Sequence, residues 1–198
     1  MNLPHLLLDI DGVLIPFPDA SHQGPVSHVR HLVVPTGHNP ADPVPIWLNP
    51  DHGPLINGLL ATGLLHPVWC TSWRHDANDL IGPKINLPGL DVIDLPRLDI
   101  TTSHPNGYLW KRDHVSLWAD TDPLAWIDDF TDLDHQWAAE RTTTGTPTLL
   151  VQPDPNIGLL PEHLDRVLAW ATGLRQPEHH IQVPRPRRHD HAEDRTAS

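Results

Sequence analysis

The sequence predicts an α/β fold in which a parallel sheet carries helices on both faces. Three observations point there. Short apolar runs alternate along the chain with segments of helical periodicity, the pattern of β-α units that leaves a sheet buried on both sides. The first run, Leu6-Leu7-Leu8, passes directly into Asp9-Ile10-Asp11-Gly12. Two later runs also end in polar pairs, Thr71-Ser72 and Asp128-Asp129. In an open α/β sheet the carboxyl ends of the strands are where ligands bind.

Taken in order, residues 4–15 predict the first strand, closed by a turn at Gly12. Residues 16–54 are rich in Pro, His and Gly and contain two β-like runs, His31–Val34 and Val44–Leu48. They predict a hairpin flap, and the internal prolines favour an edge position. Residues 52–64 show helical spacing at Leu55, Ile56, Leu59, Leu60 and Leu64, with Gly63 as a C-cap. Pro67–Thr71 predicts a second strand, followed by a helix through Asn78–Ile81, and Leu90–Leu95 a third strand. Lys111–Ala119 reads as a helix, Leu124–Asp129 as the fourth strand, and residues 135–141 as helical. Thr148–Val151 is the fifth strand, and Pro161–Gly173 is a final amphipathic helix with proline at its start. The expected organisation is one domain over residues 1–174, with the flap insertion at about 16–51, and a disordered polar tail over 175–198. The tail's His179-His180 and His189-Asp190-His191 are expected to be solvated rather than metal-bound, since no cysteine accompanies them.

Composition narrows the function classes. The 198-residue chain has one cysteine, Cys70, so no internal disulfide is possible. It shows neither a signal-peptide pattern nor an apolar run long enough to span a bilayer, so a cytoplasmic, membrane-free protein is expected. The formal net charge of −12 disfavours general nucleic-acid binding, because an acidic surface repels phosphate backbones. A nucleic-acid end, held locally, is still compatible with it. The only lysines are Lys84 and Lys111, in a chain whose other fixed cations are arginines. A lysine kept in that background points to a site that needs a compact ammonium. Lys111 opens a helix, whereas Lys84 follows Gly82-Pro83 and reads as a loop residue.

Buried strands do not end in paired acids for stability, because neighbouring like charges need a neutraliser. If the sheet is parallel, Asp9, Asp11, Thr71, Ser72, Lys111 and Asp128-Asp129 converge on one edge. The set suits phosphoryl transfer, which requires a nucleophile, an acid/base, a metal and donors for phosphoryl oxygens. Asp9 is the candidate nucleophile. Asp11, on the same side of an extended backbone, is the candidate acid/base. Thr71 and the Ser72 amide are candidate phosphate donors, and Lys111 offsets charge on Asp9 and the phosphate. Mg²⁺ takes hard oxygen ligands. Asp9 and Asp128 offer carboxylates, and Asp11 offers its carbonyl. Asp129 is expected to reach the metal through water or to orient Lys111. Asp132 and Asp134 read as helix-start acids.

The order DxDGV at Asp9–Val13, Thr71, Lys111 and Asp128-Asp129 resembles the haloacid dehalogenase (HAD) superfamily. The phrase Val68-Trp69-Cys70-Thr71-Ser72-Trp73, followed by Asn78, resembles a small-cap subgroup whose relatives include HAD domains linked to RNA repair and to actinobacterial proteins. The resemblance spans residues 4–155. It implies a Rossmann-like core with a five-stranded parallel sheet and Mg²⁺-dependent chemistry through an aspartyl-phosphate. An acid at Asp11 implies phosphatase or phosphotransferase activity rather than dehalogenation. The DD form of the last motif departs from the GDxxxD form and leaves open which of Asp128 and Asp129 touches metal.

The leading reading is therefore a Mg²⁺-dependent phosphatase acting on a phosphomonoester of unspecified identity. The alternatives are a phosphotransferase, a nucleic-acid-end phosphatase, or a HAD-like binding or regulatory module with little turnover. Separation of Asp128 from Asp9 by more than about 8 Å would favour the module, because metal–oxygen bonds near 2 Å cannot bridge that gap. Trp73 and Arg74 are expected near the entrance. Trp73 or Trp47 are stacking candidates, although tryptophans are mostly core. Cys70 is expected to be an inert buried thiol, and His75, His104 and His114 incidental.

Overall fold

Burial of apolar strands at the centre of the chain's elements sets the architecture. The computed structural model describes residues 3–17, 24–96 and 104–175. Strands β1 (His5–Leu8), β4 (His66–Trp69), β5 (Asp91–Val92), β6 (Leu124–Ile127) and β7 (Thr148–Val151) form a sheet of order β5-β4-β1-β6-β7. All four pairings are parallel. Strands β2 (Val29–Val33) and β3 (Val44–Leu48) form a separate antiparallel hairpin in the insertion. Four α-helices complete the described chain: α1 (His52–Leu60), α2 (Arg112–Ala119), α3 (Asp132–Thr143) and α4 (Pro161–Arg175).

The α/β class and the five parallel strands are as expected from the sequence. Alternation along β1 sends Leu6 and Leu8 to one face and Leu7 to the other, and all three are fully buried. Leu6 and Leu8 join a core that includes Ile56 of α1 and Val167 of α4. Leu7 joins Val68, Trp126 and Val115 of α2. On the first face α1 packs so closely that a Cβ on Gly53 would fall 1.5 Å from the backbone oxygen of Ile85.

Several elements differ from expectation. The first strand stops at Leu8 instead of running to residue 15, because the carbonyl of Ile10 accepts the N–H groups of Val13, Leu14 and Ile15 in a compact turn. Gly12 takes φ +73° inside that turn. The third strand shrinks to two residues, since β4 offers only Val68 and Trp69 as partners. The segment after β4 is a π-helix (Ala77–Ile81) followed by a 3₁₀ turn (Gly82–Ile85), not a regular α-helix. Asn78 holds this region. Its side-chain oxygen accepts from Trp69 Nε1 and Leu90 N–H, and its Nδ2 donates to the Leu90 carbonyl. Helix α3 extends well beyond residues 135–141. Helix α4 continues through Arg175, whose Nη2 donates to the Gly63 carbonyl at 3.1 Å. The remainder of the tail, with its histidine pairs, lies outside the described residues.

Chain order makes the site. From central β1 the chain first builds β4 and β5 on one side, then returns to build β6 and β7 on the other. Such a reversal opens a crevice at the carboxyl ends of the strands on either side of it. Here those strands are β1, ending before Asp9, and β6, ending before Asp128.

Candidate active site

Asp9 follows β1, and its N–H donates to the Ile127 carbonyl of β6, so the two strand ends are locked side by side. Asp128 follows β6, and its N–H bonds the Val151 carbonyl of β7. Lys111 precedes α2 and extends into this crevice. Its Nζ lies 2.8 Å from Asp9 Oδ1 and 2.8 Å from Asp128 Oδ2. All three side chains are buried.

Asp128 accepts three hydrogen bonds. Oδ2 accepts from Lys111 Nζ and from Trp126 Nε1 at 2.9 Å, while Oδ1 accepts the Asp129 N–H at 2.9 Å. Trp126 and Asp128 lie two residues apart, which places them on one face of the strand. Asp9 is different. Lys111 is close enough to pair with Oδ1, yet among the described residues that buried oxygen receives no aligned hydrogen bond.

Charges follow from burial and neighbours. Burial alone would lower Lys111, but Asp128 and Asp9 outweigh it and hold the ammonium above its ordinary value. Burial and then the charge of Asp9 push Asp128 up, against the opposing pull of Lys111. One cation thus faces more negative charge than it neutralises. Carboxylate oxygens of Asp9, Asp128 and Asp129 all fall within 4.8 Å of one another. Hard oxygen donors, a surplus of negative charge and an orphaned Asp9 oxygen fit a divalent cation of the Mg²⁺ kind. These residues are able to hold one.

Asp129 does not orient Lys111, as one alternative expected. Asp128 and Asp9 do, because the strand's alternation buries Asp128 and turns Asp129 to an exposed position. Nor does the carboxylate of Asp11 lie in the acidic group. The backbone has left the strand before Asp11, so the expected extended i, i+2 geometry is lost. Its carboxylate instead accepts from Ser72 Oγ at 3.1 Å and from Trp73 Nε1, 3.1 Å from both oxygens. Burial, then the Asp9 charge, raise Asp11 from the ordinary carboxylate value, against Trp73, Lys111 and Ser72.

Thr71 is fully buried just beyond β4, where Cys70 N–H bonds the Leu8 carbonyl of β1. Its Oγ1 accepts the Trp73 N–H at 3.4 Å. The Ser72 hydroxyl is engaged with Asp11, which leaves its amide for the expected phosphate contact. Cys70 is buried, and burial raises its thiol, in keeping with an inert role. Trp47 is covered by Gly24 and carries Arg30 above its ring, 5.9 Å from the centroid. Lys84 is exposed.

Trp126 and Asp134 carry no site role in the sequence motifs, and Trp73, expected as an entrance or stacking residue, supports the site in another way. Trp126 secures Asp128, and Trp73 secures Asp11. Asp134, expected only as a helix-start acid, also braces the approach to Lys111. Its buried carboxylate accepts from the Thr131 N–H and hydroxyl at the start of α3 and from the Leu109 N–H, and it pairs with Arg112 at 3.5 Å. The only sequence signal for the tryptophans is position. Trp126 shares strand parity with Asp128, and Trp73 lies two residues after Thr71.

One family, described as the HAD domain in Swiss Army Knife RNA repair proteins, matches residues 5–164, a span that includes every residue of this crevice. The chain belongs to that HAD family. No curated protein and no solved structure matches it. Membership supports hydrolase chemistry of the HAD type, and the order of strand-end carboxylates and lysine agrees with it. Among the described residues of this HAD domain, no helix is long and apolar enough to cross a membrane.

Proposed function

We propose that this HAD domain is a Mg²⁺-dependent phosphomonoesterase that works through an aspartyl-phosphate on Asp9. The observation that carries the reading is the convergence of Asp9, Lys111, Asp128 and Asp129 at the switch point of the sheet. Their closeness, within 4.8 Å for the three carboxylates, favours a working site over a binding module.

The Asp9 carboxylate attacks phosphorus, and the bond from phosphorus to the leaving oxygen breaks. Asp11 gives that oxygen its proton. Asp11 then takes a proton from water as the water attacks the Asp9-bound phosphoryl group, freeing inorganic phosphate and restoring Asp9. Thr71 and the Ser72 amide receive phosphoryl oxygens, and Lys111, 2.8 Å from Asp9 Oδ1, holds the Asp9 carboxylate in place. A Mg²⁺ held by Asp9, Asp128 and Asp129, with the Asp11 carbonyl as a further ligand, would supply the positive charge that lets an anionic phosphate approach carboxylates.

The family's association with RNA repair supports a nucleic-acid end as the substrate class. The net charge of −12 agrees with recognition of an end rather than of a long backbone track. The test is hydrolysis of p-nitrophenyl phosphate with and without Mg²⁺, by wild type and Asp9→Asn. Mg²⁺-dependent turnover that Asp9→Asn abolishes is expected. Equal turnover by both proteins would overturn the assignment.

A further inference from the structure

Asp11 sits on a turn rather than a strand, so backbone geometry alone does not aim its carboxyl group. Two side chains do so. Ser72 Oγ donates to Oδ2, and the indole N–H of Trp73 lies 3.1 Å from both oxygens, bisecting the carboxylate. A hydroxyl rotates freely, whereas an indole N–H has a direction set by the ring. The Trp73 ring packs against the core on the α1 and α4 face.

The turn that carries Trp73 is itself pinned. Arg74 N–H bonds the Thr71 carbonyl, and Asp76 N–H bonds the Trp73 carbonyl. Arg74 holds φ +52°, a conformation that a non-glycine residue keeps only where its surroundings enforce it. From the hairpin side, the Thr36 N–H and hydroxyl each donate to the Asp76 carboxylate at 2.7 Å. The indole is therefore a fixed donor to the Asp11 carboxylate.

We propose that Trp73 is a positioning residue for Asp11, its indole N–H fixing the plane and direction of the carboxyl group that serves the leaving oxygen. This rests on the reading of Asp11 as the acid. Trp73→Phe keeps an aromatic ring at this position and removes the indole N–H together with the pyrrole part of the ring. In the Mg²⁺-loaded full chain, kcat/KM should be compared for phenyl phosphate, whose leaving oxygen needs a proton, and p-nitrophenyl phosphate, whose leaving oxygen needs it far less. A misaligned acid is expected to lower kcat/KM about tenfold or more for phenyl phosphate and less than about threefold for p-nitrophenyl phosphate. In an Asp11→Ala background, Trp73→Phe should have no further effect on either substrate.

Trp73→His, which retains a ring N–H, is expected to recover part of the lost discrimination, and it serves as the readable variant if Trp73→Phe fails to fold. Equal losses on both substrates, no loss on either, or a full further loss in the Asp11→Ala background would overturn the proposal. Undiminished turnover by Asp9→Asn would instead overturn the parent reading, so the two failures are distinct.

Discussion

Lys111 Nζ donates to Asp128 Oδ2 at 2.8 Å, with both side chains buried, and so joins the start of α2 to the end of β6. Removing the ammonium leaves Asp9 and Asp128 facing each other without a cation. Breaking one partner of such a buried pair costs about 3–5 kcal/mol. Lys111→Met is therefore expected to lower the urea midpoint clearly. It should also reduce the proposed turnover of p-nitrophenyl phosphate by roughly 100-fold or more, since it removes a preorganised charge. Unchanged stability would mean that the ion pair is not formed in solution.

Asp129 is the exposed member of the acidic group, and its carboxylate has the fewest competing duties. Asp129→Asn is expected to weaken Mg²⁺ or Mn²⁺ binding, read by calorimetry on the metal-free protein. The loss should be at least the roughly 10–100-fold that removal of an outer partner causes. The fold should be little affected, because the side chain is exposed. Wild-type affinity in this variant would show that the cation is held by Asp9 and Asp128 without it.

Gly12 combines φ +73° with close neighbours, since an added Cβ would lie 3.2 Å from Pro155 Cβ and 3.5 Å from the Phe17 ring. The left-handed conformation alone costs an L-residue about 1–2 kcal/mol. Gly12→Ala is expected to lose at least that in thermal or urea unfolding, and to lower activity by displacing its neighbour Asp11.

His52 makes stability depend on pH. Its Nε2 donates to the Leu159 carbonyl at 3.0 Å, and among the described residues the buried Nδ1 has no partner. Burial lowers the ring to about 4 from 6.5. Because the folded value is the lower one, the unfolded chain binds the proton more readily between these limits. Stability is complete above about pH 6.5 and declines as pH falls towards 4, by about 3 kcal/mol from this one group. Urea unfolding at pH 7 and pH 4.5 measures the drop, and His52→Gln should flatten it. An unaltered slope in that variant would assign the pH dependence to other groups.

The hairpin is fastened to the turn after β4 by Thr36 and Asp76. Asp76→Ala removes both hydrogen bonds. On an exposed surface this is expected to cost about 1 kcal/mol, read as roughly fivefold faster hydrogen exchange in β2 and β3. Exchange in β1 and β6 should be unchanged. Faster exchange throughout would show that the contact supports the whole fold.

Much of this domain was legible from local pattern. β7 and the start of α4 fall where the apolar run and the proline place them, because both signals lie between neighbours in sequence. The hairpin was legible for the same reason, with two β-like runs separated by turn residues. Where tertiary contacts compete with local preference, the pattern misled. The apolar run through Ile15 looks like continued strand, but the Ile10 carbonyl gathers three N–H groups and ends it. The helix expected around Asn78 becomes a π-helix and a 3₁₀ turn, in a region where the Asn78 side chain bonds β4 and the approach to β5.

The sequence by itself determined which residue types stand at the strand ends: Asp9, Asp11, Thr71, Asp128 and Asp129, together with a lysine retained at Lys111 in a chain nearly devoid of it. Those are choices of chemistry, and they are visible without coordinates. Only the tertiary structure decided how the carboxylates divide their work. Strand parity buries Asp128 beneath Lys111 and Trp126 and leaves Asp129 exposed, while the turn at Gly12 carries the Asp11 side chain away to Trp73. Side-chain direction depends on where a strand stops, and strand ends are fixed by hydrogen bonds to neighbouring strands far away in sequence.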